Sequence, residues 1–439
     1  MRIRYPRLAA RLGAVALGAA ILGLLAACAT APQPAAKPQL VRVPADAKTI
    51  SNAVSEVAPG GLVLVSPGTY HEAVRVKTAG ITIRGTDRNT VVIDGKGLRP
   101  NGIVVSADGV TVQNLTVRSN TFYGVLVTGM PGGGTGHTGY AKLDPKKFPP
   151  VQRFRIDHVT AFDNGLYGIY AFDSQHGVIE DSYASGSADS GFYVGQCQHC
   201  DITVRNNIAE NNAVGFENAN ASDSVYIVAN RWAGNRVGMT LISSYQEAFA
   251  PQHGNTVMGN LIADNTSATS PEQAEGGFGI GIGISGGQRN TITGNRIAGN
   301  PHGGILIGNA EDIPATGNTI TGNAFESNGV GVADISGTQA PSSGNCVGGG
   351  QGAKVLPVAL AAAVCPKGSA KSTGVDSSAL PSVSAPPGMV YLDVPAPAQQ
   401  PGLTGEVTKR GMKLPRTVGE PDLSAVAMPP ADFLAAAGR

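Results

Sequence analysis

Residues 290–300 read NTITGNRIAGN, and the reading of this stretch decides the fold. Asn318 opens a near-copy, NTITGNAFESN, and Asn255 opens an earlier one, NTVMGNLIADN. The three asparagines hold their places while apolar residues alternate between them. Alternation over a few residues is the period of a strand, and Asn or Gly at fixed intervals marks tight bends. A second phrase recurs, with Asn, a short gap, Gly and an apolar alternation: NTFYGVLV from 120, NGLYGIYA from 164, NAVGFENA from 212 and NRVGMTLI from 235. SADSGFYV from 187 is a variant with Ser in place of Asn. Gly168, Gly191, Gly215 and Gly238 follow one another at 23, 24 and 23 residues.

A unit of this length, made of three very short strands, cannot bury a core alone. Stacked copies can, each strand pairing in parallel with its copy one turn on. Asn at a fixed bend then acquires a structural role, because its amide donates and accepts along the column. Asn260, Asn295 and Asn323 are expected in one column, and Asn265, Asn300 and Asn328 in another. Residue rank within the copy predicts direction. Ile169, Phe192 and Phe216 should face inward, and Tyr170, Tyr193 and Glu217 outward. The pattern over residues 60–337 resembles the right-handed parallel β-helix superfamily that includes pectate lyases and alginate epimerases. The resemblance implies an all-β fold, a right-handed parallel β-helix of about ten coils. Ile50, Ala53, Val54 and Val57 at helical spacing predict an N-terminal capping helix.

The chain divides on composition. Residues 1–27 carry Arg2, Arg4, Arg7 and Arg11 before a short apolar run, a signal-peptide profile. The closing LLAAC resembles a bacterial lipobox, which implies lipidation of Cys28 and an exported protein anchored in the cell envelope, in the outer membrane where the host has one. Loss of four arginines moves the formal charge from +1 to about −3. That balance offers no footprint for nucleic acid. Residues 28–47 read as a tether, 48–337 as the β-helix domain and 338–365 as a C-terminal closure. The Pro-, Ala- and Ser-rich stretch 366–439 reads as a tail, mobile or laid along the barrel. With 42% hydrophobic residues the chain is not a disordered one. An exported compartment permits disulfides, and sequence proximity favours Cys197–Cys200 and Cys346–Cys365. CQHC also offers metal ligands, but no second pair completes a site. No metal or cofactor is called, with calcium left as an option.

Function is expected in the interruptions of the repeat. Insertions at 128–152 and 243–254 leave the coil at the same place, just after the first strand, four coils apart. At ~4.8 Å per coil they stand as two walls about 19 Å apart. The floor between them suits an extended polymer. Tyr170, Tyr193 and Glu217 would line it, with Asp173, His176, Gln196 and His199 on the adjoining bend. A third insertion, 266–279, interrupts the next coil at another corner. The 128–152 loop also carries His137, Tyr140, Lys142, Lys146 and Lys147. A lyase or epimerase acting on uronates needs a cation for the carboxylate and a base for the C5 proton. Tyr193 or His199 would serve as acid or base, Glu217 as orienter, and Lys142 or Lys147 as the clamp. Tyr170, Asp173, His176 and Gln196 would bind substrate. The Asp-Pro-His-Asp motif of alginate epimerases is missing, and His158 in FRIDHV falls in a bend column with Asn114, Asp181 and Asn206. The reading is a monomeric polysaccharide-recognising lipoprotein, with catalysis open and contact with the membrane only through the anchor. The alternatives are an adhesive surface scaffold, in which the outward Tyr and Glu are ordinary strand residues, and a protein resembling periplasmic copper-site assembly factors.

Overall fold

The asparagine ladders are present and explain the stacking. In the computed structural model, which describes residues 36–131, 142–350, 352–404 and 410–435, the Nδ2 groups of Asn207, Asn230, Asn260 and Asn295 each donate to the Oδ1 of the next member, ending at Asn323. Each Oδ1 also accepts the backbone N–H of the preceding member, as from Asn230 to Asn260 at 2.9 Å. Nδ2 reaches a carbonyl of the earlier coil as well, from Asn260 to Ile227 at 2.8 Å. A second ladder runs from Asn212 through Asn235, Asn265 and Asn300 to Asn328. A third joins Asn290, Asn318 and Asn345. Asn suits these sites because one amide supplies both donors and acceptors in a place closed to water. Leader residues 1–27, Cys28, His137 and Tyr140 lie outside the described residues.

Every strand pair between coils is parallel. An eleven-stranded sheet takes one strand per coil, from Val74–Val76 to Val355–Leu356, and the other two strands of each coil form a twenty-stranded sheet. Ile169 pairs with Phe192, and Phe192 with Phe216; all three are buried in the main core. Trp232 packs against both phenylalanines, with ring centroids 5.4 and 5.5 Å away. Bends are made by residues with left-handed backbone. Asn114, His158, Asp181 and Asn206 have φ of 56, 51, 48 and 55° in one such column, so His158 is a bend residue.

The N-terminal end is closed by the helix Ile50–Glu56. Thr49 accepts the Asn52 N–H at 3.1 Å, and the Glu72 carboxylate takes the Ile50 and Ser51 N–H groups at 2.9 and 2.8 Å. Those bonds satisfy orphan donors of the first turn. The coil before the helix begins earlier than expected. Leu40–Val43, inside the stretch read as a tether, is a strand in register with Leu62–Val65. Disulfides join Cys197 to Cys200 and Cys346 to Cys365, the expected pairs.

The tail is laid along the barrel. Leu380 packs with Leu306 and Val330 near the C-terminal end. Further on, Pro401 O accepts from Arg88, Leu403 N donates to Asn114, and Met412 N donates to Thr82 near the N-terminal end. It then returns: Val418 N bonds Asp201, and Pro429 O accepts from Arg296.

Candidate functional site

The outward row of the eleven-stranded sheet runs Leu126, Tyr170, Tyr193, Glu217, Thr240, one residue per coil in register. The predicted direction holds, but two of the expected floor residues do not face solvent. Tyr170 and Tyr193 are buried in a second apolar cluster with Met130 and Phe172, and Leu143 and Phe148 of the first wall pack on it. The second wall closes from the other side. Tyr193 donates its phenol proton to Oε1 of Glu247, a buried residue of the 243–254 loop. Gly195 makes room for that carboxyl: a Cβ there would lie 2.9 Å from Glu247 Oε2 and against the Tyr193 ring. Glu247 Oε2 is itself buried without a partner. Burial raises the Glu247 carboxyl to about 8, so it holds a proton at neutral pH.

Beside this pair lie two half-buried carboxylates that reach the surface, Asp189 and Glu217. The Ser190 hydroxyl stands 3.2 Å from an oxygen of each. Burial lifts Asp189 to about 6, countered by bonds from Ser190 and Tyr167. Burial pushes Glu217 well above the usual carboxylate range, and the charges of Asp189 and Glu247 add to the effect. Glu217 is thus the weaker acid of the pair, with Asp189 at about 6. The Ser190 hydroxyl donates toward both carboxyl groups, at Asp189 Oδ1 and Glu217 Oε2. Two acids pushed apart in this way are the elements of general acid–base chemistry. Glu275 of the third insertion acts on both by its charge, so the second and third insertions bear on one place.

An aromatic approach leads to the acids along the stack. Phe122 is 48% exposed, and its ring centroid is 6.0 Å from that of Tyr123. Tyr123 stacks on Tyr167 of the next coil at 5.6 Å with 3° between the planes. The Tyr167 ring in turn lies 4.5 Å from that of Tyr193. Tyr123 and Tyr167 are half-buried, so an edge of this stack is open to solvent.

The family model for a right handed beta helix region matches residues 79–249 and 150–347. The chain belongs to the right-handed β-helix family. None of the curated proteins compared is similar to it. Among solved structures, the A-module of an Azotobacter vinelandii mannuronan C-5 epimerase is 16% identical, with 70% of this chain and 88% of that one covered and a TM-score of 0.44. A pectate lyase is 17% identical over 70% of this chain and 71% of that one, with a TM-score of 0.40. The enzymatically active domain of bacteriophage CBA120 tailspike protein 2 is 12% identical over 68% of this chain and 44% of that one, with a TM-score of 0.42. What these proteins act on is their own property; the chemistry of this β-helix protein rests on its own residues.

Several sequence-derived assignments change. Tyr193 meets Glu217 as its neighbour in register, but its phenol is committed to Glu247. Burial and nearby acids hold that phenol protonated far into alkali, so it cannot be the base. Tyr170 is buried and held in the same way. His199, with 81% of its side chain exposed, lies on the bend at the other end of the strand and is paired with Asp223 at 3.4 Å. His176 is taken by Asp201 at 2.7 Å, and Asp201 also anchors the tail through Val418 and Gly419. Lys142 and Lys147 are exposed, and Lys147 lies over the Phe148 ring at 5.2 Å. Neither supplies a cation among the contacts of Asp189, Glu217 and Glu247 described above.

Asp173 and Gln196 remain at a cavity. They are buried in the bend column between the walls, and burial lifts Asp173 to about 7. Asp189 and Glu247 were missed from the sequence. For Asp189 a signal existed: it falls in the one aberrant phrase, SADSGFYV, where Ser187 replaces the ladder asparagine. Among the described residues, Asp157, His158 and Asp181 bring ligand atoms within 4.8 Å of one another. Asp157 is already engaged by His158 and Arg155, which makes this an ion-pair network on a bend.

Proposed function

We propose that this β-helix protein cleaves glycosidic bonds in an extended polysaccharide that lies along the stack, and that it is exported and lipid-anchored through Cys28. The observation that carries the first part is the hydroxyl of Ser190 held between Asp189 and Glu217 at 3.2 Å each, beside the open edge of the Tyr123–Tyr167 stack. The stack offers an open aromatic edge to sugar C–H groups beside the acids, repeated at the coil spacing of ~4.8 Å. Glu217 gives its proton to the departing glycosidic oxygen, and ionised Asp189 serves as the base or nucleophile on the other side. Tyr193 and Glu247 hold the inner wall of the site. Disulfides at two places agree with an oxidising compartment.

Elimination or epimerisation of uronates fits less well. It calls for a cation at the substrate carboxylate and a deprotonated base, and the site has acids in the first role and a buried phenol in the second. A passive surface scaffold is favoured by one fact, the packing of Tyr170 and Tyr193 into an apolar layer. It leaves the pair of raised carboxyl groups, Asp189 and Glu217, joined through Ser190 beside an open aromatic edge, without a role.

A panel of neutral and acidic polysaccharides, assayed for new reducing ends, tests the proposal. The wild type should release them from at least one polymer. Glu217→Gln should still bind that polymer and release none, while release undiminished in that variant would refute the assignment.

A further inference from the structure

A groove continues the site along the stack, on the side of the acids away from the aromatic edge. Register relates the two. Ser190, Val214, Val237 and Ile280 pair in turn through successive coils. Ile280 therefore stands three coils beyond Ser190, about 14 Å at ~4.8 Å per coil. The Gly168 N–H bonds Ser190 O, which puts Tyr167 in the same row one coil before it. The third insertion crosses this row at Gly277, where a Cβ would lie 2.9 Å from a methyl of Val237. The crossing is low, because Gly276 and Gly277 carry no side chains and the space beside Gly276 is open. Past it, Ile280 is half-buried and lines a groove of about 690 Å3. Glu275 belongs to both places: its charge is felt at Asp189 and Glu217, and it lines the groove.

The opposite wall is the C-terminal tail. Leu380 is buried with Leu306 and Val330, and Pro381 O accepts from His302 Nδ1 at 2.9 Å. Further on, Met389 N donates to Ser270 O of the insertion at 2.9 Å. Ser382, Val383 and Ala385, between these two anchors, line the groove. The tail thus bridges from the sheet to the insertion. The trough it leaves falls within the ~300–1,000 Å3 range of ligand sites.

The lining is amphipathic. Phe278, Ile280 and Pro381 give it apolar surface, and Glu275, Ser378 and Ser382 give it a carboxylate and hydroxyls. Those three polar residues are exposed, so a ligand can reach them. No lysine or arginine stands among the described residues that line it. A carboxylated chain would meet Glu275 there with no counter-cation. Sugar hydroxyls can donate to that carboxylate and exchange bonds with the serines. We propose that this groove holds neutral sugars of the polymer beyond the cleavage point, and that the C-terminal tail is one wall of the binding site. The choice of ligand rests on the carbohydrate reading above.

Calorimetric titration of the full chain tests this, in the Glu217→Gln background so that no probe is cleaved. The probes are di-, tetra- and hexasaccharides of cellulose, mannan and xylan, with oligogalacturonate as the acidic comparison. At least one neutral series should gain about tenfold or more in affinity from disaccharide to hexasaccharide. Oligogalacturonate should bind more weakly than that hexasaccharide. Phe278→Ala should remove the gain with length. Ser378→Arg, on an exposed turn where folding is not at stake, should raise oligogalacturonate affinity about tenfold by supplying the missing cation. The inference is overturned if no neutral series gains with length. It is also overturned if the gain persists in Phe278→Ala and oligogalacturonate is unmoved by Ser378→Arg. Length-dependent binding by a protein that releases no reducing ends would keep the groove and remove the cleavage proposal. Cleavage of a neutral polymer without length-dependent binding would do the reverse.

Discussion

The phenol of Tyr193 is bonded to the carboxyl of Glu247, 54 residues later, and so ties the outward face of one coil to the second wall. The bond sits where water does not reach, which is why Glu247 keeps its proton to about 8. The unfolded chain gives up that proton near the ordinary carboxylate value of about 4.3. Between those limits the folded state binds more protons than the unfolded one, so this contribution to stability is lost as pH rises. Asp163 and Asp173, each lifted to about 7 by burial, act in the same direction. Asp157, held low mainly by His158 and Arg155 against its own burial, opposes them only in more acidic solution. The melting temperature should therefore fall from about pH 5 to about pH 9. Glu247→Gln should flatten that slope and melt higher than the wild type at the alkaline end. Calorimetry across the range checks both, and a melting temperature that rises with pH would contradict them.

Gly195 is required for space rather than for backbone freedom. A methyl group there meets both Tyr193 and Glu247. Gly195→Ala should leave the parallel coils intact by circular dichroism while pushing the second wall outward. Polymer cleavage should fall at least about tenfold, because small misplacements at a site of acid–base chemistry are expensive in rate. Wild-type cleavage in this variant would show that Glu247 plays no part in shaping the site.

Activity should depend on pH through two different groups. Its acidic limb should lie near about 6, where Asp189 becomes ionised. Its alkaline limb should follow deprotonation of Glu217, whose carboxyl is held well above its usual range. Profiles of kcat/KM report these free-enzyme groups. Asp189→Asn should remove the acidic limb along with ~10²–10⁴-fold of the rate. An acidic limb that persists in that variant would assign the base elsewhere.

The ladder asparagines should matter for folding alone. Asn260 donates to Asn295 and Ile227 and accepts from Asn230, all inside the stack. Asn260→Ala leaves buried partners unpaired and should cost about 1–3 kcal/mol or more in denaturant melts. Activity per folded molecule should be unchanged, and loss of activity at full stability would point to a ligand role instead.

What was legible in the sequence follows from what is local. The Asn and Gly spacings set coil length, and coil length set which way Phe192, Phe216, Tyr193 and Glu217 point. The disulfides join cysteines close in sequence, and the helix Ile50–Glu56 shows its period in its own residues. Direction is not exposure, however. Nothing in the alternation around Tyr170 told that Leu143 and Phe148 would fold back over it. Glu247 was hidden for a similar reason. It belongs to a loop whose landing point depends on Asn220 and Gln196 holding Ser244 and Ala248 in place. Asp189 could have been found from the break in its coil's asparagine phrase.

One measurement bears most directly on the claim that Asp189 and Glu217 cleave by hydrolysis. A polysaccharide that yields reducing ends would be digested in heavy-oxygen water, and its oligosaccharide products weighed by mass spectrometry. The account predicts saturated fragments, each carrying one heavy oxygen at its new end, and none from Glu217→Gln. Unsaturated fragments without the label would contradict it, and so would intact polymer after exposure to every polysaccharide that the protein binds.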